Sequence, residues 1–273
     1  MKIMSKRLKI FLIAIAAILI IYTKTISWMF GSWVFNPYYS HGFLVLAICL
    51  YIGYKKSKEI EYGRASSFGL ILVAIALIIH AIATVYNLDY ISAMTIPFAI
   101  FGVIISFYGL SVAKRFLFPV FFILFAVPYP IYTISNVLEV LSANTSVNIL
   151  KFFGFEVFNI GAEIHLKSGT FIVGAPCSGI RSIIALLTVS ALYVYIIKDS
   201  MLIKTILISL SVPLAILANI LRISTILITA EVFGRDIALN VVHYLSDVIF
   251  FTIAVVSLMI IRRCLSWMSD LLS

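Results

Sequence analysis

A thiol, a hydroxyl, a glycine and a guanidinium fall within five residues of one another in the stretch GAPCSGIR, residues 174–181. A thiolate is a strong nucleophile, and an arginine four residues further along a helix lies one turn away on the same face. If Pro176 occupies the first turn, the helix macrodipole and the nearby guanidinium groups lower the pKa of the Cys177 thiol. The stretch therefore predicts Cys177 as a nucleophile.

The composition indicates the solvent in which the chain folds. Hydrophobic residues make up 63% and charged residues 11% of the 273 residues, and the mean hydropathy is +1.16. Soluble proteins carry about 25% charged residues. We therefore expect an all-α polytopic membrane protein with about eight transmembrane helices, forming a single membrane-embedded domain over 1–273.

Charge and cysteine content exclude several functions. The net charge is +9, but the basic residues cluster between apolar runs, as membrane anchors do, so we expect no nucleic-acid partner. Three cysteines without a CxxC spacing argue against a disulfide framework and against a zinc site. Cys49 and Cys264 lie in or at the end of apolar runs and are expected to serve only as small apolar packing residues. We expect no metal and no cofactor.

The distribution of lysine and arginine predicts the orientation. The predicted spans cover about 10–30, 41–54, 67–86, 90–110, 116–128, 179–197, 204–230 and 243–261. With the N-terminus inside, fourteen of the 20 basic residues fall on the inner side, which the positive-inside rule favours. Both termini are then cytoplasmic, and a segment of about 129–176 lies on the outer face.

This outer-face insertion has two parts. Residues 134–153 mix asparagine, glutamate and lysine with leucine and valine, which predicts an interfacial amphipathic helix. Residues 155–173 alternate polar and apolar side chains, with turn residues at Gly161 and at Ser168-Gly169. That pattern predicts a small β-hairpin.

Polar residues from three predicted spans converge at the outer boundary. At about 1.5 Å per residue from Lys204, Asn219 and Arg222 lie roughly 22 and 27 Å along the seventh span. His243 begins the eighth span at the same boundary, and Asp247 shares its helical face and can orient or charge-stabilise the imidazole. Cys177 lies at the same depth, at the outer end of the sixth span. Arg181 lies within the apolar run of that span, where an ionisable residue is costly and usually functional.

Several of these residues also have simpler interpretations. An arginine near a span end can extend to phosphate headgroups, and an interfacial histidine can cap a helix. An asparagine can join helices, a serine can cap one, and a glycine can permit close packing. The residues concerned are Arg222, His243, Asn219, Ser178 and Gly179.

The predicted cluster suits acyl transfer from a peptide. Cys177 would attack a carbonyl carbon, and Arg222 would hold the resulting oxyanion. His243 would protonate the leaving amine and then deprotonate the acceptor.

Five motifs resemble those of the exosortase/archaeosortase family of membrane transpeptidases. They are YSHGFLV at 39–45, AVPYP at 126–130, GAEIHLKSGTFIV at 161–173, GAPCSGIRS at 174–182 and ANILRI at 218–223, followed by a later histidine. The resemblance implies a sorting enzyme, and the charge count places its active site on the outer face of the plasma membrane. Such an enzyme cuts a C-terminal signal, made of a short motif, a transmembrane segment and a basic tail, from an exported protein. It then joins the new C-terminus to a membrane lipid or lipid-linked acceptor.

The resemblance also carries residue roles. The cysteine, arginine and histidine of the family fall on Cys177, Arg222 and His243, and Arg181 belongs to the same pattern. Some branches replace the histidine with another basic residue, which keeps Arg235 open as an alternative. His41, at the start of the second span, is either a supporting residue or a residue of the headgroup region.

Two other classes of function compete with an enzyme. In a transporter or lipid flippase, the polar residues would line a pathway. In an interaction subunit of a secretion or polysaccharide assembly, they would hold a partner. The polar residues sit at one predicted face and not at the midplane, and no inverted repeat is visible, which favours the enzyme.

Overall fold

The computed structural model describes residues 2–58, 64–174 and 177–272. The predicted first-turn position of Pro176 lies outside the described residues. The chain divides into two compact units, 1–130 and 131–273. A single domain over the whole chain stays a prediction.

The first unit is helical throughout its described secondary structure. Its helices are α1 Lys2–Ile21, α2 Thr23–Phe35, α3 Gly42–Ser57, α4 Phe68–Val85, α5 Asp89–Tyr108, α6 Leu110–Arg115 and α7 Leu117–Phe121, followed by a 3₁₀ helix Phe122–Ala126.

The helix α5 is the centre of the first unit, and it packs most extensively against its antiparallel neighbour α4. Gly69 and Gly102 let the two backbones approach closely, because a Cβ atom at Gly69 would collide with the carbonyl oxygen of Gly102. Small residues at a helix contact are the usual way for apolar helices to pack in lipid. A cavity of about 360 Å³ in this unit has an almost wholly apolar lining that includes Met29, Trp33 and Cys49.

The second unit is arranged around one long helix. Its elements are α8 Tyr132–Phe152, β1 Phe158–Ile160, β2 Glu163–Leu166, β3 Gly169–Ile172, α9 Ile180–Ile196, α10 Met201–Phe233, α11 Arg235–Ile237, a π turn Ala238–Val242 and α12 His243–Leu272. The helix α10 packs against α8, α9 and α12. It can therefore join residues from all three.

The strands form a three-stranded antiparallel sheet in the order β1-β2-β3. The predicted single hairpin was wrong in this respect, because the two turns at Gly161 and at Ser168-Gly169 each close a hairpin and the two hairpins share β2. The buried Ile164 joins the sheet to Leu150 of α8 and Leu227 of α10 in one hydrophobic cluster.

Four described helices are long and apolar enough to cross a membrane, or five if the pair α1 and α2, bent by 67°, counts as one span. They are α4, α5, α10 and the segment Arg235–Met268. The stretch predicted as a fifth span, 116–128, folds instead as the short α7 and a 3₁₀ turn. A multi-span membrane protein is confirmed, while the count of eight and the orientation stay predictions.

The helix α8 covers most of the segment predicted to be amphipathic. Its buried face consists mainly of small residues, and Ser146 on that face donates a hydrogen bond to the Ile220 carbonyl of α10. Its exposed face mixes asparagines with apolar side chains such as Ile134 and Val137. The helix is thus a packing partner of α10, and its interfacial position stays a prediction.

Candidate active site

The backbone of Cys177 is held on α10 by Asn219. The Asn219 side-chain amide donates a 2.8 Å hydrogen bond to the Cys177 carbonyl oxygen and a 3.3 Å bond to Ser142 Oγ. Gly179 adopts φ +87°, a left-handed conformation that favours glycine. A Cβ atom at Gly179 would also lie 2.9 Å from Asn219 Cγ. The glycine thus permits both the turn and the contact.

Two of the predicted catalytic side chains, those of Cys177 and Arg222, contact the Nε2 atom of the third, His243. Cys177 Sγ lies 3.8 Å from His243 Nε2, and Arg222 Nη2 lies 3.2 Å from the same Nε2. A guanidinium can only donate, so Nε2 accepts from Arg222 and the imidazole proton lies on Nδ1. In this tautomer His243 is neutral, with its basic nitrogen facing the thiol.

The carboxylate of Asp247 holds two arginines. Asp247 Oδ2 accepts a 2.7 Å hydrogen bond from Arg181 Nη2, and Asp247 Oδ1 lies 3.0 Å from Arg222 Nε. The second contact is an ion pair without hydrogen-bond geometry, since Arg222 Nε has no hydrogen-bond partner among the described residues.

This pairing differs from the predicted role of Asp247 in orienting the imidazole of His243. Asp247 shares the helical face of His243, but two guanidinium groups offer it stronger, charge-assisted contacts. Asp247 is thus linked to the histidine through Arg222, which contacts both residues.

The charges at the site leave a positive excess. Arg222 is only 3% exposed, and together with Arg181 it outweighs the one carboxylate of Asp247. A buried positive charge beside a reacting carbonyl stabilises a developing oxyanion, because little water screens it. The arrangement favours a transition state that carries negative charge.

The predicted lowering of the Cys177 pKa was wrong. Burial raises the pKa of the Cys177 thiol, and the charge of Arg222 opposes this rise without overcoming it. The helix α9 begins only at Ile180, so the thiol is three residues short of the helix N-terminus. Cys177 therefore starts as a thiol and needs a base to remove its proton.

The remaining predicted residues, Ser178, His41 and Arg235, make other contacts. Ser178 is buried, and its hydroxyl accepts from the Ile180 amide at the start of α9, where Gly179 occupies the N-cap position. His41 belongs to the first unit, where its Nε2 bonds with the Phe125 carbonyl oxygen at 2.9 Å. Arg235 lies over the Phe171 ring at 5.4 Å, and no described contact joins it to Cys177.

One residue of the cluster was not predicted. Ser142 of α8 is buried and accepts from Asn219, which extends the network to a fourth helix. Its signal in the sequence is weak, because a serine on a small-residue helix face looks like ordinary packing. Within the described ranges, no group of three or more histidine, cysteine or acidic side chains is placed to hold a metal ion.

The fold and the cluster together define a multi-span membrane protein with a cysteine, a histidine and an arginine in mutual contact. Residues 33–260 match the family model described as transmembrane exosortase, and the chain belongs to that family. Among curated proteins no match is found, and among solved structures there is none either. Membership in the family supports a function of the membrane transpeptidase type.

Proposed function

We propose that the chain is a cysteine-dependent membrane transpeptidase. It cleaves the C-terminal sorting signal of exported proteins and transfers the new C-terminus to a membrane lipid or lipid-linked acceptor. One observation carries this proposal: Cys177 Sγ and Arg222 Nη2 both lie within contact distance of His243 Nε2. A nucleophile, a base and an oxyanion donor are the three groups that acyl transfer requires.

The first half of the reaction forms a thioester. His243 Nε2 takes the thiol proton, and Cys177 Sγ attacks the carbonyl carbon of the scissile peptide bond. Arg222 donates to the oxyanion of the tetrahedral intermediate. The carbon–nitrogen bond then breaks, and His243 returns the proton to the leaving amine.

The second half releases the product. His243 removes a proton from an acceptor amine or hydroxyl, whose nitrogen or oxygen attacks the thioester carbonyl. The carbon–sulfur bond breaks, and the proton returns to Cys177 Sγ. The sorted protein leaves with its new C-terminus bonded to the acceptor.

Arg222 couples substrate binding to activation of the thiol. His243 Nε2 has one lone pair, and Arg222 occupies it at 3.2 Å. The same lone pair must take the Cys177 proton. A carbonyl oxygen bound beside Sγ competes for the Arg222 donor and frees the lone pair, so proton transfer is favoured once a substrate is in position.

Co-expression with a reporter substrate tests this function. The reporter substrate is a secreted tagged domain that carries the C-terminal motif, transmembrane segment and basic tail of an exported protein encoded in the same host. We expect a shortened reporter and a covalent adduct of reporter and chain that neutral hydroxylamine releases, since it cleaves thioesters. A transporter or an interaction subunit would leave the reporter intact, and that result would refute the proposal.

The site is proposed to face outward from the plasma membrane, where an exported substrate arrives. In intact cells, a membrane-impermeant thiol reagent is expected to label Cys177 and to spare Cys49 and Cys264. Cys49 is buried, while Cys264 is exposed but lies on the predicted cytoplasmic side. The labelled position is read by peptide mass spectrometry. Labelling of Cys264 with protection of Cys177 would show that the chain has the opposite orientation in the membrane.

A further inference from the structure

The strand β3 forms one edge of the sheet, and its outward hydrogen-bonding groups can be assigned. The turn between β2 and β3 pairs Leu166 with Gly169, and Val173 N donates to Ala162 O at 2.9 Å. Pairs that exchange hydrogen bonds alternate along an antiparallel ladder with pairs that do not. Thr170 and Ile172 therefore direct their backbone groups away from β2.

Most of these outward groups are free of other partners. The Ile172 carbonyl accepts a 3.0 Å hydrogen bond from Gly174 N. The Thr170 N–H, the Thr170 carbonyl and the Ile172 N–H have no hydrogen bond to any part of the described chain. Thr170 is exposed, and Ile172 is 73% exposed. An open strand edge of this kind is a template for pairing with another extended chain.

The free edge leads directly to the proposed nucleophile. Gly174 N bonds to Ile172 O at 3.0 Å, and Cys177 N bonds to Gly174 O at 2.8 Å. These two contacts bring the end of β3 within about 10 Å of the Cys177 backbone. An extended chain covers that distance in about three residues.

We propose that the segment just before the scissile bond of the substrate binds as a fourth strand on the free edge of β3. This inference rests on the proposed function. β3 runs toward Cys177, so a substrate strand that delivers its next residues to the thiol must run parallel to β3. In that register its backbone makes three hydrogen bonds, with the Thr170 N–H, the Thr170 carbonyl and the Ile172 N–H.

When a substrate binds as an added strand, its backbone supplies the affinity and its side chains supply the specificity. The main-chain bonds accept most sequences, while side chains at alternate positions of the added strand face the two sides of the sheet. On one side of the sheet, these side chains lie beside the exposed Thr170 and Ile172 of β3. Recognition is therefore expected at every second residue of the short motif, beginning about three residues before the cleaved bond.

A pair of substitutions at one position isolates the backbone donor. Ile172→Pro and Ile172→Ala both remove the side chain, but only the proline removes the outward N–H, and it breaks no bond to β2. For cleavage of the reporter substrate, we expect Ile172→Pro to lower kcat/KM about 3- to 10-fold below Ile172→Ala, mainly through KM. Equal kinetics of the two variants, with wild-type labelling of Cys177, would overturn the proposal.

Disulfide cross-linking tests the same strand without relying on the proline variant. Ile172→Cys is combined with Cys177→Ala, and single cysteines are placed along the motif of the reporter substrate. Cross-links at alternate motif positions, absent from Cys177→Ala alone, are expected. Uniform cross-linking, or a three- to four-residue period, would exclude a strand. If cleavage does not depend on Cys177, the proposed function fails; if it does and the alternation is missing, only the strand proposal fails.

Discussion

Replacement of Cys177 with alanine is expected to abolish processing of the reporter substrate, with kcat lowered at least about 1,000-fold. Loss of the attacking atom leaves only binding and oxyanion stabilisation, and these cannot form the covalent intermediate. Cleavage is measured by the shortened tag on a gel, and the hydroxylamine-sensitive adduct is expected to disappear with it. Because burial raises the Cys177 pKa, the thiol keeps through neutral pH the proton that His243 passes to the leaving amine, so kcat/KM of the wild-type chain should fall at alkaline pH, where this proton is lost to solvent.

Two other cysteines provide the controls for this result. Cys49→Ala and Cys264→Ala are expected to keep processing within about twofold, because Cys49 lines the apolar cavity of the first unit and Cys264 lies several turns beyond His243 on α12. Cys177→Ser retains the shape of the side chain but is expected to be nearly as inactive as alanine, since the histidine must activate a far less acidic group. Normal processing by Cys177→Ala would refute the mechanism.

Much of the cluster could be predicted from the sequence because helix geometry fixes distances along the chain. A rise of about 1.5 Å per residue relates Arg222 to the start of its helix, and charge counting relates the ends of separate helices. These two rules bring Cys177, Arg222 and His243 to one level. They do not determine rotation about a helix axis, so the distances between these side chains required the structure.

The contacts that could not be predicted are those that depend on rotation and on competition between partners. Asp247 was expected at the imidazole, but it pairs with Arg181 and Arg222, and a helical spacing cannot rank partners from other helices. Likewise, the predicted lowering of the Cys177 pKa depended on a helix that starts near this residue. The left-handed Gly179 delays the start of α9 until Ile180, so the helix dipole does not act on the thiol as expected.

The fold, too, could be predicted only in part from the sequence. Hydropathy identified the long apolar helices α4, α5 and α10, but a segment can be apolar and still not form one long helix. The stretch predicted as a fifth span breaks into α7 and a 3₁₀ turn, and α1 and α2 meet at a 67° bend. Apolar residues are compatible with each of these forms, so tertiary packing decides among them.

Arg222→Lys is expected to lower kcat about 100- to 1,000-fold while the fold is preserved. A lysine keeps the positive charge but loses the planar group that reaches both Asp247 and His243 Nε2, so the oxyanion donor is misplaced. The readout is single-turnover formation of the thioester adduct, which separates the first chemical step from product release. Labelling of Cys177 at the wild-type extent is the control for an intact site.

Asp247→Asn provides the matched variant, because it removes the charge that pairs with Arg222 and with Arg181. Alone, it is expected to slow adduct formation about 10-fold by releasing the guanidinium from its ion pair. In an Arg222→Lys background the same change should cost little more, since the residue that Asp247 positions is already gone. Additive losses in this double-mutant cycle would show that Asp247 acts on the reaction independently of Arg222. The link from Asp247 through Arg222 to His243 would then have to be abandoned.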